Sequence, residues 1–347
     1  MNKELLTRAE CTALRGLAIM GIFLHNYCHW LPGIVRENEY TFKMGNVRVF
    51  DFFMAHPDWK IPMHLVSFFG HYGVPIFLFL SAYGLVMKYE KSVTEYLSPV
   101  RFIGHHYVKL FNMMIVGFAL FTMVDAITPG SYHYSVLGIV AQLLMFNNVL
   151  PHPNNVIWPG PYWFFGLMFQ LYIVYRLLLY KRHWGFTVGL MVICHVIQLC
   201  CDPYGDALNR WRYNFIGGML PFGAGLLYAR YGALMTKKLY AIMLPLSLVC
   251  IYVCSHGFHN WFFVPLMIVF AGICFVKVLP AVMNKGLAWM GGISAALFVC
   301  HPITRKVFIP ISRQGDMYTG LLLYIVSSIV LAVVVSMLIK RFPNPKS

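Results

Sequence analysis

Ten long apolar runs separated by short polar segments govern what this chain can become. They are centred near residues 13–31, 65–87, 108–127, 161–180, 185–201, 213–231, 239–255, 260–280, 287–304 and 319–339. Each approaches the ~20 residues needed to cross the ~30 Å hydrocarbon layer of a bilayer. Within such a layer a chain must satisfy its own backbone, so these runs predict helices. The 12 acidic residues, among them Glu4, Glu10, Glu37, Glu39, Asp58, Glu90, Glu95 and Asp316, fall almost entirely between the runs. Only 11% of the 347 residues are charged, against about 25% in soluble domains. The expected fold is an all-α integral membrane protein of about ten transmembrane helices, one membrane domain over 1–347 without a separate soluble domain.

The net charge of +15 does not point to nucleic acid, because the basic residues are scattered through short loops as the positive-inside rule expects. With the N-terminus cytoplasmic, the inner segments hold eighteen Lys and Arg, including Lys3 and Lys346, and the outer segments nine. That ratio predicts both termini inside, with the 32–64 loop and the 128–160 stretch outside. The loop is rich in aromatics, with Phe50, Phe52, Phe53 and Trp59. The apolar stretch 134–150 is short and ends in Asn147, Asn148 and Pro151, which reads as a re-entrant or interfacial segment. The first apolar run carries Arg15 and His25 and no small-residue cleavage site, so it is expected to be retained as the first helix. Nine cysteines without a CxxC pair behave as small hydrophobes, and neither a disulfide framework nor a metal site is expected.

Polar groups inside apolar helices are costly and are candidates for function. Arg15 and His25 are the sharpest. His25 can act as a general base near neutral pH, and Arg15 can hold a phosphate or carboxylate. Arg15 also reads as a residue snorkelling to the inner interface, and His25 as a packing histidine; His29, one turn on, can share either role. Asp125 reads as a helix-end residue or as a partner that orients a histidine. Ser81, Ser294 and His301 read as hydrogen-bonding links between helices, and His301-Pro302 equally as a helix break near a site.

The run from Leu14 through Arg15-Gly16-Leu17-Ala18 to His25 resembles the first helix of the acyltransferase 3 family of membrane-bound O-acyltransferases. Three further stretches agree in order: Gly73-Val74-Pro75-Ile76-Phe77-Leu78-Phe79-Leu80-Ser81; Tyr162-Trp163-Phe164-Phe165-Gly166-Leu167 followed by Tyr172; and Ile293-Ser294-Ala295-Ala296-Leu297-Phe298-Val299-Cys300-His301-Pro302. The family usually has ten residues between its Arg and His, whereas nine lie between Arg15 and His25. At ~100° per residue the shorter step leaves them about 80° apart around the helix, where eleven steps would leave about 20°. Either a π-bulge absorbs the difference or Asn26 takes the histidine's register. The family's RxxR appears only as His106-Tyr107-Val108-Lys109 with Arg101 nearby, Ala82 replaces a glycine, and Gln170 stands where some members have Glu.

The resemblance implies an enzyme that takes an acyl group, most often acetyl, from acetyl-CoA or another acyl-CoA on the cytoplasmic side. The acceptor would be a hydroxyl of a sugar, glycolipid or envelope polysaccharide, in the inner membrane of a bacterium. It implies His25 and Arg15 as catalytic residues. Arg101, His106 and Lys109, helped by Lys88, Lys91 and His105, would face the CoA phosphates, and Trp163, Tyr162, Ser81 and His301 the substrate. No metal is implied, the partners are the glycan acceptor and membrane lipid, and oligomeric state is left open. Two other readings stand beside this one: a transporter or flippase of a lipid-linked saccharide, for which the matched broken helices are missing, and a catalytically drifted acyltransferase-like sensor.

Overall fold

A computed structural model describes residues 4–92 and 97–342. Lys3, Glu95 and Lys346, used above in the charge pattern, lie outside the described residues. Every element is helical, with no strand among the described residues.

The first helix, α1 (Arg8–Cys28), starts where local chemistry says it should. Thr7 accepts from the Glu10 amide at 3.2 Å while the Glu10 carboxylate accepts from the Thr7 amide at 2.8 Å, a reciprocal cap that satisfies two orphan donors. The helix is regular throughout, so no π-bulge lies between Arg15 and His25. The two π turns that do occur, Met87–Lys91 and Tyr175–Leu179, close other helices.

The 32–64 stretch is more than a loop. It contains α2 (Met44–Ala55), with Val47 and Phe50 buried. Gly45, Arg48 and Asp51 dilute its hydropathy, which hides the helix from an average over composition. Next come α3 (Ile61–Phe69), a tight turn at Gly70–Tyr72 and α4 (Gly73–Val86), which together with the π turn form one apolar unit Ile61–Lys91. Then follow α5 (Pro99–Ile127), with Ser98 accepting at its N-terminus, and the short α6 (Val136–Leu143). At eight residues α6 is too short to span a bilayer. The irregular backbone after it carries Asn147 and Asn148, both buried: Asn147 donates to Gln142 and Asn148 to the Tyr213 carbonyl.

The remaining helices of seven residues or more are α7 (Trp163–Val174), α8 (Trp184–Leu199), α9 (Asp206–Arg212), α10 (Phe215–Tyr231), α11 (Lys237–Cys254), α12 (Val264–Val278), α13 (Ala281–Gly292), α14 (Ser294–Arg313) and α15 (Met317–Ile339). Each of the ten apolar runs falls on helix. Five helical stretches are long and apolar enough to cross a membrane, or six if α13 and α14, bent by 66° at Ile293, count as one. α1 has the length, at 21 residues, but carries Arg8, Glu10 and Arg15. The break lies at Ile293, eight residues before His301, and His301-Pro302 sits inside continuous α14.

Burial sorts the helices into layers. The apolar windows of Ile61–Lys91 and Gly160–Leu179 are 56% and 67% buried, against 17% for α11 and 22% for α15, so the former are core and the latter face outward. α1 lies at the centre, packed on α3, α4, α12, α13 and α14. Its approach to α13 depends on Gly16 and Gly291: a Cβ on Gly16 would meet the Leu287 carbonyl oxygen at 1.9 Å. A second cluster of Val35, Phe42, Phe50, Phe68, Leu208 and Trp261 caps the end of the bundle next to the C-terminus of α1.

Candidate active site

Two cavities meet on opposite sides of one partition. The larger, about 800 Å³, is lined by Glu4, Arg8 and Arg15 from the N-terminal region, by Ser81, Lys109, Tyr172 and Ser294, and by Ile339 and Phe342 near the C-terminus. The smaller, about 230 Å³, is lined by His25, Asn26, His29, Glu37, Glu39, Tyr40, His71, Trp158, Trp163 and Arg305. Ile22, Phe164 and Phe298 border both. One of these rings faces the other at 5.2 Å, so the partition is two aromatic side chains and an isoleucine.

His25 is set in the smaller cavity by a close approach of backbones. A Cβ on Gly70 would lie 2.6 Å from the Gly21 carbonyl oxygen and 2.7 Å from the His25 Cβ, so only glycine lets the α3–α4 turn pass this near α1. The approach brings the Ser67 carbonyl to His25 Nδ1 at 2.8 Å. A carbonyl can only accept, so Nδ1 carries the proton and the neutral ring presents Nε2 as the basic nitrogen.

The other imidazoles gather round it. The His29 ring lies 4.6 Å and the His71 ring 5.4 Å from His25, centroid to centroid. His29 Nδ1 meets Glu37 at 3.1 Å. The loop carrying Glu37 is braced by Asn46, which donates to the Glu37 carbonyl at 2.8 Å and to Asn38 at 3.0 Å, and by Trp261, whose indole donates to the Asn38 carbonyl. Burial opposes the charge of Glu37, but the His29 and His25 rings and the His29 hydrogen bond outweigh it and hold its carboxyl below the usual range. Burial, reinforced by the charge of Glu37, lifts the neighbouring Glu39 to about 8. Adjacent carboxyls thus differ in state at neutral pH.

One ligand atom from each of His25, His29 and Glu37 lies within 4.8 Å of the others. That trio is of a kind able to hold a divalent cation, a possibility that cysteine spacing could not disclose.

The residues singled out from the sequence separate into three groups. His25 and Trp163 line the smaller cavity; Arg15, Ser81 and Lys109 line the larger one. Ser81 Oγ lies 3.2 Å from the Tyr172 hydroxyl. Arg15 and His25 are therefore not brought together: ten steps of rise place them about 15 Å apart along α1, on opposite sides of the partition. Asn26 lines the same cavity as His25, so the shorter spacing costs neither residue its access.

The third group lines neither cavity. His106 is buried, with Nε2 at 3.3 Å from the Tyr89 hydroxyl and its ring against Phe102 and Tyr172; Arg101 is exposed in the first turn of α5, away from both cavities. Tyr162 is buried and donates to the Val299 carbonyl at 2.7 Å, linking α7 to α14. His301 is fully buried, with Nδ1 on the Leu297 carbonyl. Asp125 ties the end of α5 to its surroundings, accepting from Lys306, the Tyr132 amide and the Tyr134 hydroxyl, and meets no histidine. Gln170 bonds Asn214 and the Phe215 amide.

Glu37, Glu39, His71, Trp158 and Arg305 were not singled out beforehand. Their signal is tertiary, because four separated segments supply them. Only His71, lodged between two glycines just ahead of the Val74-Pro75 run, had a neighbourhood that could have drawn attention.

The described residues form an all-helical bundle with several helices long and apolar enough to cross a membrane, and a buried histidine lines the smaller of two neighbouring cavities. The profile of the acyltransferase 3 family, described as an acyltransferase domain, matches residues 9–341, nearly the whole chain. The chain belongs to this family and is an integral membrane acyltransferase. No curated protein and no solved structure matches it.

Proposed function

We propose that the protein moves an acyl group, in the first instance acetyl, from acyl-CoA in the larger cavity to a hydroxyl of a sugar or glycolipid in the smaller one. The observation that carries this reading is the two-cavity arrangement itself, with Ile22, Phe164 and Phe298 lining both cavities and His25 on the smaller side.

The larger cavity suits the donor. Its volume is in the range of cofactor pockets, and Arg8, Arg15 and Lys109 provide positive charge for the CoA phosphates. This assigns Arg15 to donor binding and leaves Arg101 and His106 with no direct part in it. The smaller cavity suits the acceptor. Trp30, Trp158, Trp163 and Tyr40 offer faces to a sugar ring, and Asn154 and Asn155 offer amides to its hydroxyls.

His25 Nε2 takes the proton of the attacking hydroxyl. The oxygen attacks the thioester carbonyl, the tetrahedral intermediate collapses, and the CoA thiolate leaves with the acyl group now on the acceptor. Glu37, held by His29, places a negative charge within 4.8 Å of the imidazolium as it forms. A displacement of Phe164 or Phe298 lets the thioester reach across the partition.

The membrane arrangement we infer has ten spans in one domain, with both termini and the larger cavity on the cytoplasmic side of a bacterial inner membrane. The Lys and Arg bias supports that orientation, as does the lining of one cavity by both Glu4 and Phe342. Protein in nanodiscs supplied with radiolabelled acetyl-CoA and an envelope glycan extract is expected to transfer label, and His25→Ala to abolish it. Undiminished transfer by the variant overturns the role of His25; absence of acetyl-CoA binding by the native protein overturns the enzyme reading in favour of a sensor.

A further inference from the structure

Arg305 is the charged group in the smaller cavity whose position nothing in the proposed reaction explains. It projects from α14, is 5% exposed, and lines the cavity that holds His25. Its neighbours on the helix and in the chain end are accounted for: Lys306 pairs with Asp125, and Arg313 is exposed and donates to the Trp30 carbonyl. Arg305 has no carboxylate within ion-pair distance among the described residues. Its hydrogen bonds run from Nη1 alone, to the Asn26 carbonyl at 3.2 Å and the Asn26 side-chain oxygen at 3.4 Å.

Two tryptophans hold it. The guanidinium carbon lies 5.6 Å from the Trp30 ring centroid and 5.8 Å from that of Trp158. Such faces stabilise a cation without neutralising it. A buried guanidinium that lacks a counter-ion is expensive, and the two acids of the cavity do not supply one. Glu37 is engaged by His29, and neither Glu37 nor Glu39 lies within ion-pair distance of Arg305. The charge left open to a ligand is therefore positive, planar and framed by two rings that also favour a sugar face.

We propose that Arg305 is an acceptor-selecting residue and that the acceptor carries an anionic group, a carboxylate or a phosphate, on or next to the sugar ring that packs against the contacting pair Trp30 and Trp158. The guanidinium's fork matches either oxyanion in two-point contact, and the anion supplies the counter-charge the fold leaves out. The proposal rests on reading the smaller cavity as the acceptor chamber. It narrows the acceptor from any hydroxyl-bearing glycan to an acidic or phosphorylated one.

The test uses the full chain in nanodiscs and three small probes: methyl β-glucuronide, glucose 1-phosphate and methyl β-glucoside. Binding is followed by the change in tryptophan fluorescence. At least one anionic probe is expected to bind roughly tenfold or more tighter than the glucoside, as a charge-assisted hydrogen bond would give. Tighter glucuronide points to an acidic sugar, tighter glucose 1-phosphate to a phosphorylated one, and both together to a site that reads charge alone. R305Q should erase the preference, and R305K, which keeps charge but loses the fork, should retain part of it while its melting temperature verifies folding. Equal affinities in the native protein, a preference unchanged in R305Q, or no binding of any probe overturns the proposal. H25A separates this idea from the enzyme reading, because it should lose acyl transfer and keep the anion preference. A native protein that prefers anions but transfers nothing would refute the reaction and leave the anion site standing.

Discussion

Replacing Gly70 with alanine tests how His25 is held without touching its chemistry. The new Cβ would sit 2.6 Å from the Gly21 carbonyl oxygen and 2.7 Å from the His25 Cβ, whereas ordinary contacts begin near 3.4 Å. Relief requires α1 and the Gly70–Tyr72 turn to separate by roughly 0.7 Å, the clash being with backbone on one side and the root of the His25 side chain on the other. Overpacking of this kind costs about 1–3 kcal/mol of stability. The effect on rate should be larger, since a displacement near 1 Å at a reacting group costs on the order of 10²-fold. It also lengthens the Ser67 contact that selects the His25 tautomer. The assay is acetyl transfer at saturating acetyl-CoA, with acetyl-CoA affinity measured separately. Gly70→Ala should lower turnover by ~10–100-fold and leave donor affinity unchanged, because the donor cavity is across the partition. Gly104→Ala is the control, with nothing within 4 Å of the added methyl and an expected gain of about 0.5–1 kcal/mol. Turnover of Gly70→Ala within twofold of native would refute the view that this approach positions His25.

Four more outcomes follow from the same geometry. Phe164→Ala thins the partition and should raise CoA release in the absence of acceptor, as water reaches the thioester; an unchanged release rate would mean that Phe164 does not separate the cavities. Tyr162→Phe removes the hydroxyl bonded to Val299, so it should cost about 1–3 kcal/mol on thermal melting with acceptor KM unaltered, while Trp163→Ala should raise acceptor KM. Glu90→Ala strands the Arg230 guanidinium, which donates to Glu90 at 2.7 and 2.9 Å with both side chains about nine-tenths buried, and should destabilise by about 3–5 kcal/mol, read as a lower melting temperature.

The last prediction concerns pH. Glu39 rises from an ordinary 4.5 to about 8 in the folded protein, so between those values the folded state binds more protons than the unfolded chain, and this group's contribution to stability falls as pH rises. Glu39→Gln should flatten that part of the melting-temperature profile between about pH 4.5 and 8; an identical slope in the variant would show that Glu39 is not its source.

Much of the architecture was legible because the relevant signals are local. Run length and hydropathy identified ten helical segments and the membrane class, since backbone groups in a bilayer must bond within their own helix. The rise per residue alone separated Arg15 from His25 by about 15 Å, and the fold leaves them on opposite sides of a partition. What failed was direction around the helix axis. α4 and α7 are apolar on all sides, so periodicity could not say that Ser81 and Trp163 face cavities while Tyr162 faces α14. His106 and His301 were drawn to the site by the family resemblance, and packing turned both into the protein. Glu37, His71, Trp158 and Arg305 reach His25 only because a short loop, a tight turn and the bend at Ile293 fold four segments against the end of α1. The chain by itself determined that a histidine would sit within a long, largely apolar helix. Which charges, rings and carbonyls surround it was decided by close backbone approaches at Gly70 and Gly16, contacts between distant segments that no local pattern encodes.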